Sequence, residues 1–271
     1  MNLSASWLEL LSAPSPGQHI AQLYTQREFL SRAVATFVGD GLRRGDAAVV
    51  ISTPLHWRVI LERLQADGLN VQDFQRRGQL LVRDARTTLA TCMVDGAPDR
   101  DRFRATIEDA IGETRAAGFT RVRAFSEMVD ILRRTDVAAT IRLEQLWNEL
   151  LRGRDVALLC GYSLDAFDPH IYRGLLQQVS ATHSDLIPVD DYARLARAVD
   201  RAYVDVFGGG ADARALQDAF LTHYRRPAAM PEAEAAILAV REFVPDTTDA
   251  LLERARRHYT IGDDRRWHHA A

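Results

Sequence analysis

The sequence predicts an α/β protein, with a mostly parallel sheet covered by helices on both faces and a small all-helical region after it. Three observations predict this. Short apolar runs alternate with stretches of helical periodicity, which is the pattern of βαβ crossovers. The run Ala47-Ala48-Val49-Val50-Ile51-Ser52 is almost continuously apolar, as expected of a parallel strand buried on both faces. After Ile187 no strand-like run follows, and helical periodicity continues alone. The predicted boundaries are an N-terminal helix and loop over residues 1–16, an α/β domain over 17–188 and a helical region over 189–271. A chain of 271 residues suits one large domain with an appendage.

Taken in order, His19-Ile20-Ala21-Gln22-Leu23-Tyr24 reads as a first strand. Thr25 then stands three residues before Glu28, the spacing of a capping box, and Phe29, Leu30, Ala33, Val34, Phe37 and Val38 form a helical stripe. Gly41 and Gly45 mark the end of that helix. Residues 47–52 form a strand, and Thr53-Pro54 opens a helix with proline at its favoured first position. Leu80-Leu81-Val82, Val122-Arg123-Ala124-Phe125 and residues 156–162 are further strands. Helices are expected over 85–93, 102–117 and 138–151, and around Ile171, Leu175, Leu176 and Val179. In the last third, helices are predicted over 190–207, 212–224, 232–243 and 247–259, with Gly208-Gly209-Gly210 as a break and a loop between Pro227 and Pro231. His268-His269 is a terminal pair, expected to be unstructured.

Composition narrows the chemistry. Hydrophobic residues make up 47% and charged residues 26%, ordinary for a chain that builds a core, and the net charge of −3 sets up no basic field for nucleic acid. Every basic residue is arginine, so no lysine is present to serve as a phosphate-loop cation, a Schiff base or a general base. Cys92 and Cys160 lie far apart without CxxC spacing, which points to neither a zinc knuckle nor a disulfide framework. Residues 1–11 lack the basic segment of a secretory signal, and no apolar run approaches a membrane span, so the expected compartment is the cytoplasm and no membrane partner is expected.

A set of short motifs carries a family resemblance. In order they are His19-Ile20…Leu23-Tyr24, Gly41-Leu42…Gly45-Asp46, Val50-Ile51-Ser52-Thr53, Gly78-Gln79-Leu80 and Asp84-Ala85. They continue with Met93-Val94-Asp95-Gly96-Ala97-Pro98-Asp99, Arg123-Ala124-Phe125-Ser126-Glu127-Met128-Val129, Leu143-Glu144…Leu146-Trp147-Asn148 and Leu159-Cys160-Gly161-Tyr162. Together they resemble the MEDS domain, the sensory domain named for methanogens, methylotrophs and a dichloromethane-responsive regulator. The resemblance covers roughly residues 17–187. It implies a RecA/KaiC-like core that has lost its ATPase motifs, in bacterial and archaeal regulators where the domain senses a small molecule or relays a signal. At Ser126 the sequence departs from the commoner pattern, in which glycine stands before Glu-Met.

The residues themselves agree that phosphate-loop chemistry is missing. Such a loop needs GxxxxGK[ST] between strand and helix, and the stretch Ser52-Thr53-Pro54-Leu55-His56-Trp57 has neither glycine nor lysine. A helix N-terminus at Thr53 still offers free N–H groups to a carboxylate or phosphate, unless Thr53 serves only as an N-cap. Arg123 and Glu127 bracket a strand end, either as a structural ion pair or as a pair facing a ligand. His19 and His56 are the histidines expected near strand ends, without metal-ligand spacing. Glu144 and Asn148 share a helix face, and Tyr162 and Asp165 follow a strand, so these groups either converge on the crevice of Glu127 or serve as a solvated face and a core cap. No GxSxG elbow, catalytic Cys–His context or GxGxxG fingerprint is present.

The resulting expectation is a non-enzymatic sensory or regulatory protein, with no catalytic residue and no metal site assigned and the cofactor left unknown. Its ligand-binding candidates are His19, Thr53, His56, Arg123, Glu127 and Tyr162. A nucleotide-binding protein or weak ATPase with a rearranged phosphate site is one rival. A transcription regulator using the tail on DNA is the other. Arg254, Arg256 and Arg257 favour DNA, but Glu232, Glu234, Glu242, Asp246, Asp249 and Glu253 offset them. The tail residues Ile237, Leu238, Leu251 and Leu252 suit a protein partner or a homodimer better.

Overall fold

The computed structural model describes residues 5–226 and 229–267. Pro227 and the His268-His269 pair lie outside the described residues. The α/β part begins with α1 (Ala5–Ser12), β1 (His19–Tyr24), α2 (Arg27–Arg44), β2 (Ala47–Ser52), α3 (Pro54–Ala66), α4 (Val71–Arg76) and β3 (Leu80–Asp84). It continues through α5 (Ala85–Cys92), β4 (Met93–Val94), β5 (Ala97–Pro98), α6 (Arg100–Ala116), β6 (Val122–Ser126), α7 (Met128–Arg133), α8 (Val137–Leu151) and β7 (Val156–Ser163). After α9 (Leu176–Thr182), β8 (Asp185–Ile187) completes the sheet. Six strands pair in the order β3-β2-β6-β7-β1-β8, every pair parallel, so the predicted fold class is the observed one.

Register sorts the side chains. His19, Ala21 and Leu23 of β1 lie beside Leu158, Cys160 and Tyr162 of β7, so these six share one face of the sheet. The other face carries Ile20, Tyr24, Phe125, Ala157 and Leu159, packed with Leu30, Val34, Phe37 and Val38 of α2 in one core. On the first face Trp147 of α8 is fully buried, with the Phe103 ring of α6 edge-on at 5.0 Å.

Arg123 lies deep in the α2 side at 1% exposure. Its Nε donates to Asp46 at 2.8 Å, and Nη1 donates to the carbonyls of Leu11, Ser12 and Phe37 at 3.2, 3.0 and 2.9 Å. A guanidinium does not give up its proton, so its burial is tolerated only where its donors are satisfied in this way. Gly41 is the clearance for it, because a Cβ there would stand 2.5 Å from Arg123 Nε. Four residues on, Gly45 ends α2 at φ 90°, where a side chain would be strained.

Several local expectations change. The N-cap of α2 is Gln26 rather than Thr25, so the capping box does not form. Residues 93–98 make a hairpin around Asp95-Gly96, both at positive φ, with strands of two residues that are too short for periodicity to reveal. The three-residue edge strand β8, and the short helices α4 and α7, were missed for the same reason.

Residues 164–181 and 188–271 form a second compact unit, while 2–163 and 182–187 form the α/β unit. The segment around Ile171 and Leu176 therefore groups with the C-terminal helices, not with the sheet as read from sequence. Those helices are α10 (Tyr192–Phe207), α11 (Gly210–His223), α12 (Glu232–Phe243) and α13 (Thr248–Trp267). Ile237, Leu238, Leu251 and Leu252 are all buried, so the apolar residues expected to meet a partner are already covered. Of the arginines read as a basic end, Arg256 pairs with Asp165 at 2.6 Å and Arg257 with Glu253 at 3.3 Å.

Two predictions follow from these buried charges. Gly41→Ala pushes against Arg123 and is expected to cost roughly 1–3 kcal/mol in urea unfolding, the range for overpacking a core. Glu234 is buried at the start of α12, and desolvation raises its carboxyl from 4.5 to about 7, with its own N–H and Arg226 pulling only partly back. Between those two values the unfolded chain ionises while the folded one keeps the proton. Stability should therefore fall from pH 4.5 to about 7 by up to about 3 kcal/mol and level off above. Glu234→Gln should remove that slope and leave the variant more stable than the wild type at pH 8.

Candidate functional site

The strand order reverses its sense of connection along the sheet. From β1 and β2 the chain moves toward β3, and from β6 and β7 it moves toward β8. Ligands in open parallel sheets sit outside the carboxyl ends of strands at such switch points. A crevice of ≈ 800 Å³ lies there, lined by Tyr24 at the end of β1, Thr53 after β2, Glu127 after β6 and Ser163 at the end of β7.

Glu127 is the organising group. Its Oε2 accepts from Thr53 N at 3.1 Å and from Thr53 Oγ1 at 3.0 Å, while Oε1 meets His56 Nδ1 at 2.8 Å. Thr53 does occupy the N-cap position of α3, yet its hydroxyl makes no cap bond and is given to Glu127 instead. Ser126, where the family pattern favours glycine, accepts from Met128 N at 3.3 Å and steadies the turn that presents Glu127. Asp130, one turn on, accepts from Ser163 N at 2.8 Å and Arg133 Nε at 2.7 Å on one oxygen, and from Arg134 at 3.2 Å on the other. Burial raises the Tyr24 phenol well above its ordinary range, with Asp130 and Glu127 adding to the effect, so it stays protonated. Arg27, Arg86 and Arg134 stand exposed at the mouth.

Three of the predicted residues, Thr53, His56 and Glu127, thus meet in the crevice. Arg123 does not. It begins at the other end of β6 and pairs with Asp46, so Arg123 and Glu127 form no ion pair with each other. His19 and Tyr162 are placed elsewhere too, in a buried group on the α8 face.

There Glu144, fully buried on α8, accepts the Tyr162 hydroxyl and stands 3.2 Å from His19 Nε2 and 3.3 Å from His183 Nε2. Cys160 Sγ is 3.4 Å from His19 Nε2 and 3.8 Å from Glu144. Glu144 and Asn148 therefore face the sheet rather than solvent, and Asp165 belongs to the helical unit. Desolvation pushes Glu144 up, but the His183 and His19 imidazoles outweigh it and hold the carboxyl well below the usual carboxylate range. Burial, then His183, lowers the His19 imidazole. Burial and Glu144 raise both the Cys160 thiol and the Tyr162 phenol.

β1 is followed by only Thr25 and Gln26 before α2, and β2 by only Thr53 before α3. Neither turn contains glycine or lysine. With that geometry in view, comparison with known families is informative. The profile of MEDS, the methanogen/methylotroph, DcmR sensory domain, matches residues 18–184. The chain belongs to the MEDS family. A sensory family fits a parallel-sheet core that keeps the switch-point crevice and lacks the phosphate-gripping turn. The MEDS match takes in β1 through α9 and stops just before β8. No curated protein shows significant similarity to the chain. Among the described residues no helix is long and apolar enough to cross a membrane.

His183 was missed in the sequence because its partners are scattered along the chain, and only the β1–β7 register brings them together. Tyr162→Phe removes a hydroxyl given to a buried carboxylate. It is expected to cost about 2 kcal/mol in urea unfolding, the scale for a hydrogen bond to a charged group.

Proposed function

We propose that this protein is a non-enzymatic sensor whose crevice at the ends of β1, β2, β6 and β7 binds a small carboxylate- or phosphate-bearing molecule. The carrying observation is the distribution of charge. Asp130 is neutralised by Arg133 and Arg134, whereas Arg27 and Arg86 at the mouth have no salt-bridge partner among the described residues. Such arginines suit an incoming anion. Glu127 Oε2 already accepts two hydrogen bonds from Thr53, which argues for a structural carboxylate over a water-activating base. The chain leaves the crevice at Ser163 and enters the helical unit at Leu164, so the helices are the natural output toward a regulatory partner.

Thermal unfolding with a panel of carboxylates, acyl-CoAs and nucleotides tests this reading. A true ligand at a hundredfold excess over its Kd stabilises by about 2.7 kcal/mol and raises the midpoint. The double variant Arg27→Ala/Arg86→Ala should keep the unliganded midpoint and lose the shift. A panel without effect, or a shift that survives in the double variant, overturns the proposed site. ATP turnover that vanishes in Glu127→Gln overturns the non-enzymatic reading.

A further inference from the structure

The buried group of His19, Glu144, Cys160 and His183 is independent of the crevice, and its geometry points to a metal. Each residue offers one donor atom, all within 4.8 Å of one another, and all four side chains are buried. The measured separations are 3.2 Å from His19 Nε2 to Glu144 Oε2, 3.3 Å from His183 Nε2 to Glu144 Oε1, 3.4 Å from His19 Nε2 to Cys160 Sγ and 3.8 Å from Cys160 Sγ to Glu144 Oε2. A tetrahedral zinc ion, with bonds of about 2.0–2.3 Å, separates its ligand atoms by about 3.3–3.7 Å. The separations among His19 Nε2, Cys160 Sγ and Glu144 Oε2 lie close to that range, and the four donors all stand within 4.8 Å of one another.

The surrounding hydrogen bonds orient them. Asn148 Nδ2 donates to the Thr182 carbonyl at 2.7 Å, which turns Asn148 Oδ1 toward His19 Nδ1 at 3.0 Å. A carbonyl only accepts, so the amide orientation is fixed and His19 Nδ1 must carry a hydrogen. In a neutral His19 the Nε2 lone pair then points at Glu144 Oε2 and Cys160 Sγ. An imidazole lone pair and a carboxylate oxygen at 3.2 Å repel unless something positive lies between them. This Asn–His arrangement is the outer-shell support that metal-bound histidines have. Tyr162 gives its hydroxyl to Glu144 and fixes the carboxylate in the same way.

We propose that His19, Glu144, Cys160 and His183 bind one divalent metal ion of the zinc class in a closed, structural site between α8 and the sheet. Two imidazole nitrogens, a thiolate and a carboxylate form a borderline-soft donor set that suits zinc over magnesium or calcium. A dication with one thiolate and one carboxylate leaves the buried site without net charge. Binding releases the thiol proton to solvent. Because the donors come from β1, α8, β7 and the segment before β8, the ion stitches the middle of the sheet to its edge and is taken up as the chain folds.

The test is elemental analysis of the full chain produced with added zinc, together with cobalt(II) substitution. The expected result is one zinc per chain. The cobalt form should show the visible bands of a four-coordinate ion and a near-ultraviolet thiolate-to-cobalt band. Cys160→Ser should lose the charge-transfer band and bind zinc more weakly, and His183→Gln should lower the metal content. Should those variants fail to fold, the wild type decides alone, unfolded with chelator and refolded with and without zinc. A higher thermal midpoint with zinc and one equivalent retained support the site. Folding to the same midpoint without retained metal overturns it and leaves a protonated His19–Glu144 pair. So does cobalt binding that lacks a thiolate band.

Discussion

A sheet covered on both faces leaves no room for water around a charge, and this chain nevertheless places ionisable groups under both layers of helices. On the α2 side the guanidinium of Arg123 is held by one carboxylate and three carbonyls. On the α8 side Glu144 sits among two imidazoles, a thiol and a phenol. Each group would cost several kcal/mol if its neighbours were displaced. The positions of α1, α2 and α8 on the sheet are therefore fixed by polar contacts as well as by apolar area. Gly41 shows how strict this is, since a methyl group there would collide with the guanidinium.

Much of the architecture was legible because strands buried on both faces are apolar runs and the helices between them carry stripes. The parallel sheet, the break after Ile187 and the four C-terminal helices all follow from that patterning. What escaped were elements of two to six residues, whose length gives periodicity nothing to act on, and the assignment of 164–181 to the second unit. That assignment depends on tertiary packing, which local spacing does not encode.

The site was legible in part. Thr53, His56 and Glu127 could each be assigned to a strand end from sequence, but that these three meet follows from β2 and β6 being neighbours in the sheet, which the sequence did not show. Arg123 could not be placed, since parity along β6 puts it on the α2 face and at the wrong end. The i, i+4 relation of Glu144 and Asn148 was visible, but not the inward direction of their face. His183 carried no signal at all, standing in a polar stretch between α9 and a three-residue strand.

The excursion of residues 164–181 into the helical unit has an evolutionary consequence. Because the chain goes out after β7 and comes back for β8, no single cut divides the two units cleanly. Truncation after Ile187 would leave the α/β part carrying an orphaned stretch, and a fragment starting at 188 would lack its own first segment. The family match spans that stretch as well. A recombination event that exchanged only the C-terminal helices would have to rebuild their contacts with 164–181. The two units are thus expected to be inherited together, with change in one constrained by the segment it lends to the other.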